Sequence, residues 1–403
     1  MPAYPGLSAG ASSLRPSVFT TLASQFKTLP QPPIPLHLGD TYRLPPEAAR
    51  IDRVLPRMPK DQYGYVNPNG LDELRAAVAQ RCAGEGFTGL DANHVHVTAG
   101  GSNALYVTVA TWVQPGDEVL VCAPYWPMIK GMIQTMGGVP IEVPFYPAVR
   151  RGDDLGELLS RYVTPRTVAL YVTNPNNPCG TVLTPGQVQE VANFVQAKNL
   201  WAIADEAYHH YVYEGSKHVF LASLPGMSER TATIFTVSKS YALAGTRVGF
   251  IVGSPTWLDT SRRMFTHAVY NVPMFSQLTA LAAIEQGEPW IAETRAIYAK
   301  AADTVLRTFD AEFGPAQGGG YVFADLGKDL AGKPAMEYLL ELLREGVCIS
   351  PGDAFGAEFT NHVRVCFTSV PHDTLEIAIG KMNRSLHRLR QAARQPGSAN
   401  AAA

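Results

Sequence analysis

The chain has 403 residues, 46% of them apolar, which is enough to bury a sizeable core and too apolar for a disordered chain. Lysine and arginine number 33 against 35 aspartates and glutamates, a net charge of −2. That balance leaves no basic footprint for nucleic acid or an anionic membrane, and points instead to a small-molecule partner.

At roughly 150 residues per domain the length suits two or three units, or one large core with a smaller satellite. Cys82, Cys122, Cys179, Cys348 and Cys366 are odd in number and far apart, without the spacing of a zinc or redox motif, so no metal is expected. Apolar runs such as Val119-Leu120-Val121-Cys122 fall well short of the roughly 20 residues a membrane helix needs. The first residues lack the apolar core of a secretory signal, so a reducing cytoplasm is the expected compartment, with an organellar address left open.

In chain order, residues 1–36 are rich in Pro, Ser and Gly, with one amphipathic stretch at 18–26, and read as an N-terminal arm that lies on other structure. Alternation of helix and strand begins near residue 70. Helical spacing over 71–82 precedes a strand at 94–97, a helix at 102–112, a strand at 118–122, a helix at 128–136 and a strand at 139–143. Further apolar runs at 168–172, 201–204, 233–237 and 248–252 predict strands buried on both faces, hence a mostly parallel sheet. Residues 288–313 carry the longest helical pattern and read as a connector out of the sheet. Beyond it, 320–326, 334–345, 363–367 and 372–393 alternate β, α, β, α, as a smaller α+β unit would. A low-complexity tail closes the chain.

Four segments carry chemistry. In Val97-Thr98-Ala99-Gly100-Gly101-Ser102-Asn103 a strand ends in two glycines and a helix begins, a geometry that can cradle a phosphate on free N–H groups, although a plain strand–turn–helix corner looks the same. Thr173-Asn174-Pro175-Asn176-Asn177-Pro178 fixes a loop at a strand's C-terminal end, where open α/β sheets bind ligands; a surface turn would also fit. Asp205 ends a buried run, Ala202-Ile203-Ala204-Asp205, where an acid is costly unless paired. It could face a cationic ring nitrogen, with Tyr208 three residues on. Lys239 follows another apolar strand and is a candidate Schiff-base amine, though most such lysines are simply solvated. Arg247 lies eight residues further, with a planar fork suited to phosphate.

Taken together and in this order, these segments resemble the class I/II aminotransferases, the fold-type I enzymes that use pyridoxal 5′-phosphate (PLP). The matching motifs are Asn-Pro-Asn-Asn-Pro-Cys-Gly at 174–180, Asp-Glu-Ala-Tyr at 205–208 and Ser-Lys through Gly-Thr-Arg-Val-Gly-Phe at 238–250. Pro-Gly-Asp-Glu-Val at 115–119, Tyr65 with Gly70-Leu71, and Val-Arg-Val-Cys-Phe-Thr at 363–368 also match. The resemblance covers about residues 37–385.

It implies an α/β, three-layer fold with a mostly parallel central sheet and a smaller α+β domain. The large PLP-binding domain would span about 48–287, the small domain 37–47 plus about 288–395, and a flexible tail 396–403. Lys239 would form the Schiff base and move protons, Asp205 would pair with the pyridine N–H, and Asn177 and Tyr208 would hydrogen-bond the ring oxygen. Gly101, Ser102, Asn103, Ser238 and Arg247 would hold the phosphate, with Trp126 stacked on the ring. Tyr65 would reach the phosphate of a second subunit, which implies a homodimer with shared sites. Arg364 would bind the substrate α-carboxylate, assisted by Gly39 and Asn177.

The implied reaction exchanges an amino group between an amino acid and a 2-oxo acid. Residues 266–272 carry no arginine to grip a second carboxylate, and Tyr42, Tyr125, Tyr270 and Phe355 fall near site loops. A neutral or aromatic donor is therefore expected over a dicarboxylate. A PLP-dependent lyase, cyclase or oxidase, of the aminocyclopropane-carboxylate synthase or capreomycidine synthase kind, would use the same residues and is the alternative.

Overall fold

The structure, a computed structural model, describes residues 6–14, 29–59, 63–330 and 334–394. The amphipathic stretch at 18–26 and the tail at 396–403 lie outside the described residues. The strands, in chain order, are β1 (Ile34–Pro35), β2 (Val95–Thr98), β3 (Glu118–Cys122), β4 (Val139–Val143), β5 (Thr167–Thr173), β6 (Trp201–Asp205), β7 (Thr231–Thr236), β8 (Gly249–Val252), β9 (Glu312–Phe313), β10 (Tyr321–Asp325), β11 (Val347–Cys348), β12 (Ser350–Pro351) and β13 (His362–Cys366).

Seven of these form one sheet in the order β2-β8-β7-β6-β5-β3-β4. All pairings are parallel except the two made by β8. The reason is local. Parallel neighbours need a crossover across a sheet face, but residues 237–248 hold only a one-turn helix, Val237–Ser240, and a short 3₁₀ turn, Ala244–Thr246. The chain can only double back, and it does so at the rim where Lys239 sits.

Alternate residues of each strand feed two cores. Val119, Val121, Ala169, Tyr171, Ile203 and Ile234 pack under helices Asp72–Gly84, Gly101–Trp112, Pro255–Ala268 and Met274–Gln286. Leu120, Cys122, Leu170, Val172, Ala202 and Ala204 pack under Phe145–Arg151, Leu155–Ser160 and Pro185–Ala197. A sheet covered on both faces needs apolar residues at every position, which is why its strands read as continuous apolar runs.

A smaller antiparallel sheet, β12-β13-β10-β9, packs with helices Glu288–Thr308, Ala335–Arg344 and His372–Arg394 around Val305, Val322, Leu339, Val365 and Met382. The connector helix is shorter than its sequence pattern: it ends at Thr308 rather than 313. Asn383 ends it, accepting from the Asp310 N–H at 2.9 Å and donating to the Thr308 carbonyl at 2.6 Å. β1 pairs in parallel with β11, and the Leu36 carbonyl accepts from the Cys366 N–H at 2.8 Å, so residues 37–40 enter beside the smaller sheet. Among the described residues no helix is long and apolar enough to cross a membrane.

Candidate active site

The C-terminal ends of β2, β5, β6 and β7 share one rim, the place where ligands settle on open α/β sheets. At the end of β2, Gly100 holds φ +85° and opens the helix Gly101–Trp112. The Asn103 side chain is turned back, its Oδ1 accepting from the Ala99 N–H at 3.1 Å. β8 presses its backbone against this turn: a Cβ on Gly249 would lie 2.5 Å from the Gly100 carbonyl carbon and the Gly101 nitrogen. The turn is therefore a cradle built without side chains.

Arg247, at φ +54°, reaches the same turn. Its guanidinium donates to Ala244 O at 2.8 Å and lies 3.5 Å from Ala99 O. Ser238 completes the rim, its N–H donating to Thr236 Oγ1 at 3.1 Å and its hydroxyl 2.9 Å from that oxygen. The exposed Arg247 guanidinium thus meets first-turn N–H groups of a helix that have no intrahelical partner, and this is the chemistry that receives a phosphate.

Asp205 is buried at the end of β6. Tyr171 donates to its Oδ2 at 2.8 Å and the Ala207 N–H to its Oδ1 at 3.3 Å. Among the described residues no cation faces it, and burial raises its carboxyl to a pKa of about 6. Lys239, one strand over, donates its ammonium to the Gly39 carbonyl, and burial lowers its pKa. Gly39, Tyr208, Ser238, Lys239, Tyr321 and Thr368 line one cavity.

Arg364 is buried too, on β13. Its guanidinium donates to Asn177 Oδ1 at 3.1 Å, to His37 O at 2.6 Å and to Ser350 Oγ at 3.3 Å, all neutral acceptors. It lies 4.6 Å over the Tyr321 ring and 4.8 Å over Phe355. Among the described residues it forms no ion pair. Tyr321 in turn meets Tyr208, hydroxyl to hydroxyl, at 2.5 Å.

The rim thus gathers Gly39, Tyr208, Ser238 and Lys239 around one cavity, Asn177 with Arg364, and Gly101 and Asn103 with Arg247. Ser102 lies in the first turn of the same helix, and Trp126 is half-buried against the core. Tyr65 stands apart, 84% exposed, with its ring 4.7 Å from Tyr270. Of the aromatic residues singled out from sequence, Phe355 joins Arg364, whereas Tyr125 is taken up by Glu142, to which it donates at 2.8 Å. Cys179 is a turn residue whose N–H donates to Asn176 Oδ1 at 2.9 Å, and burial pushes its thiol up to about 12.

Two residues escape the sequence reading, Tyr171 and Tyr321. Each has one faint signal: Tyr171 is the ring inside an aliphatic run, and Tyr321 follows the triplet Gly318-Gly319-Gly320.

The family model for aminotransferase class I and II matches residues 42–382. This chain belongs to the class I and II aminotransferases. As a member it is a PLP-dependent transferase. An aromatic-amino-acid aminotransferase of Thermococcus litoralis is 32% identical over 80% of this chain and 84% of its own length. An arginine–pyruvate transaminase of Pseudomonas aeruginosa is 32% identical over 75% of this chain and 77% of its own. A single mutant of Thermus thermophilus aspartate aminotransferase superposes with a TM-score of 0.86 at 26% identity, covering 95% of this chain and 100% of that one. For an aminotransferase of this family the donor set fits PLP on three counts: a side-chain-free cradle at a helix N-terminus, a buried carboxylate without a cation, and a desolvated lysine between them.

Proposed function

We propose that the protein moves the amino group of an α-amino acid to a 2-oxo acid, with PLP as the resident carrier. The observation that carries this reading is a pair of buried charges that find no ionic partner among the described residues, Asp205 without a cation and Arg364 without an anion. A substrate carboxylate supplies what Arg364 lacks, and a cationic ring nitrogen what Asp205 lacks. When bound, PLP supplies an electron sink for the pair left at the α-carbon and accepts the amino group.

The chain's own residues do the rest. Gly101, Ser102, Asn103, Ser238 and Arg247 would hold the phosphate, and Trp126 would cover the ring. Asn177 and Tyr208 would hydrogen-bond the ring oxygen, and Asp205 would keep the ring nitrogen protonated. Lys239 would anchor the cofactor at rest and move the α-proton once freed; burial favours its neutral amine, the form that accepts a proton. Arg364, with Gly39 and Asn177, would fix the α-carboxylate. A second copy would bring Tyr65 to the phosphate, making the active unit a homodimer.

A neutral or aromatic donor is favoured over a dicarboxylate, because residues 266–272 lack an arginine and Phe355 borders Arg364. The relatives' names span aromatic, arginine and aspartate donors, so the donor has to be read from the pocket. We assign residues 48–287 to the cofactor-binding domain and 37–47 with 288–395 to the smaller one.

The test is to add a panel of amino acids to the cofactor-loaded protein with no acceptor present. Loss of the visible cofactor band together with one equivalent of 2-oxo acid per site identifies the donor. Turnover in which the band persists while another product accumulates overturns transamination in favour of a lyase, cyclase or oxidase.

A further inference from the structure

A second polar cluster lies away from the Lys239 cavity, where the end of the helix Asp72–Gly84 meets the loop after Tyr208 and the start of the connector helix. Glu85, His209 and His210 each turn one ligating atom to a common point, with all three atoms within 4.8 Å of one another. Glu85 Oε1 lies 3.5 Å from His210 Nε2, and the other carboxylate oxygen, Oε2, lies 3.8 Å from His209 Nε2. In a tetrahedral zinc site with bonds of about 2.0–2.1 Å, neighbouring ligand atoms sit about 3.3–3.4 Å apart, so the cluster is within a small side-chain rotation of that geometry.

Each histidine is set up in a different way. The His209 ring is 2.7 Å from the Glu206 carbonyl through Nδ1, the outer-shell bond that fixes the tautomer and leaves Nε2 as an electron-pair donor. That Nε2 makes no hydrogen bond among the described residues. His210 Nε2 accepts from Arg81 Nε at 3.1 Å, while its buried Nδ1 finds no partner among the described residues. The buried Tyr241 hydroxyl is likewise without one, and both residues line the same cavity.

Charge decides what this cavity can take. Arg81 is its cation, donating to Glu85 at 3.1 Å and to Glu288 at 2.9 Å. The nearby Glu206 is paired with His218 at 2.8 Å. Two carboxylates against one guanidinium leave a single negative charge, which disfavours an anion and favours a further cation. Two imidazoles and one carboxylate select a transition metal over calcium or magnesium. Arg81 also has somewhere to go, since its second carboxylate, Glu288, is exposed at the start of the connector helix.

We propose that Glu85, His209 and His210 form a site for a divalent transition metal of the zinc class, with Arg81 as a resident cation that yields its place and shifts onto Glu288 when metal binds. Three protein ligands leave a fourth position open to the cavity. Atoms balance without redox: the metal replaces the single Arg81 Nε–H that His210 and Glu85 share.

The probe is Co²⁺, added to chelator-treated, cofactor-loaded protein. One equivalent should bind and develop the ligand-field bands of a four-coordinate site, at wavelengths beyond the cofactor's absorption. Glu85→Gln and His209→Gln should each weaken binding by more than the roughly 10- to 100-fold that loss of an outer-shell partner costs. Arg81→Met, which removes the competing cation, should tighten it. Absence of the bands overturns the site, as does binding that Glu85→Gln leaves unchanged; because Glu85 is partly exposed at a helix end, that variant decides the matter even if His209→Gln does not fold. An unchanged affinity in Arg81→Met overturns the exchange with Arg81. None of these readouts passes through transamination, so failure here leaves the proposed reaction standing.

Discussion

Asp205 and Arg364 bring opposite charges into the interior, each held, among the described residues, by neutral partners. For Asp205 the consequence is a pH dependence whose sign follows from burial. Its folded-state pKa, about 6 against an ordinary 3.8, favours the protonated form in the fold. Its contribution to stability is full below about pH 4 and lost as pH rises through 6, a swing of roughly 3 kcal/mol. Cofactor-free protein should therefore melt higher at pH 5 than at pH 7, with the difference flattened in Asp205→Asn; a wild-type profile as flat as the variant's would contradict it. Tyr321 divides into two parts. Its hydroxyl touches Tyr208 and its ring lies under Arg364, so Tyr321→Phe should move the pH dependence of the cofactor's absorbance while leaving KM little changed, and Tyr321→Ala should also raise KM about tenfold or more. A KM that rises equally in both variants would separate the ring from Arg364. Asp205 and Lys239 were legible in the sequence because each stands at or just past the end of an apolar run, whereas Arg364, in the middle of β13, was indicated only by the family resemblance. The two tyrosines were not, because a ring inside a buried strand satisfies the same hydrophobic pattern as core packing, and only the fold shows where its hydroxyl points.

At the scale of elements, the cradle depends on a strand and a turn touching through backbone alone. A methyl group on Gly249 would have to displace the Gly100–Gly101 peptide, which lies 2.5 Å from the position it would take. Gly249→Ala should thus weaken cofactor affinity at least tenfold, measured by the PLP needed to restore the visible band, whereas Gly245→Ala, in open space, should not. Unchanged affinity in Gly249→Ala would remove the cradle from the phosphate site. The same scale explains where the sequence reading overran. The helical pattern of 288–313 continues through Phe309, but Asn383, 75 residues away from Thr308, supplies the hydrogen bonds that end the helix. A terminator contributed by another helix leaves no mark in the local pattern. Within the sheet the reading fared better: 118–122 and 139–143 coincide with β3 and β4. β3, buried on both faces, imposes a run of apolar residues whatever surrounds it, whereas β4 is the edge strand and is exposed at Val139. The antiparallel sense of β8 was not visible in such a run, because it follows from the shortness of the preceding connection.

Across the whole molecule, the site is assembled from both sheets. β5, β6 and β7 of the large sheet bring Asn177, Asp205 and Lys239, β13 of the smaller sheet brings Arg364, and the segment after β1 brings Gly39. Each chain nevertheless leaves Tyr65 outside its own cavity, 84% exposed and resting on Tyr270, and Ile51, Leu55, Leu44 and Phe275 are exposed as well. If a second copy takes up Tyr65, the two sites of a dimer are wired crosswise, and crosswise wiring can be tested by mixing. Lys239→Ala should be inactive on its own, and Tyr65→Ala strongly impaired. Unfolded together and refolded in equal amounts, half of the dimers would be mixed. Each mixed dimer would have one site with both lesions and one site with neither, because the intact Lys239 belongs to the subunit that receives the intact Tyr65. Restored activity should then approach about a quarter of the wild-type value, well above the mean of the two parents. If instead each chain serves its own cavity, every site in the mixture keeps one lesion, and the activity stays at the parental mean.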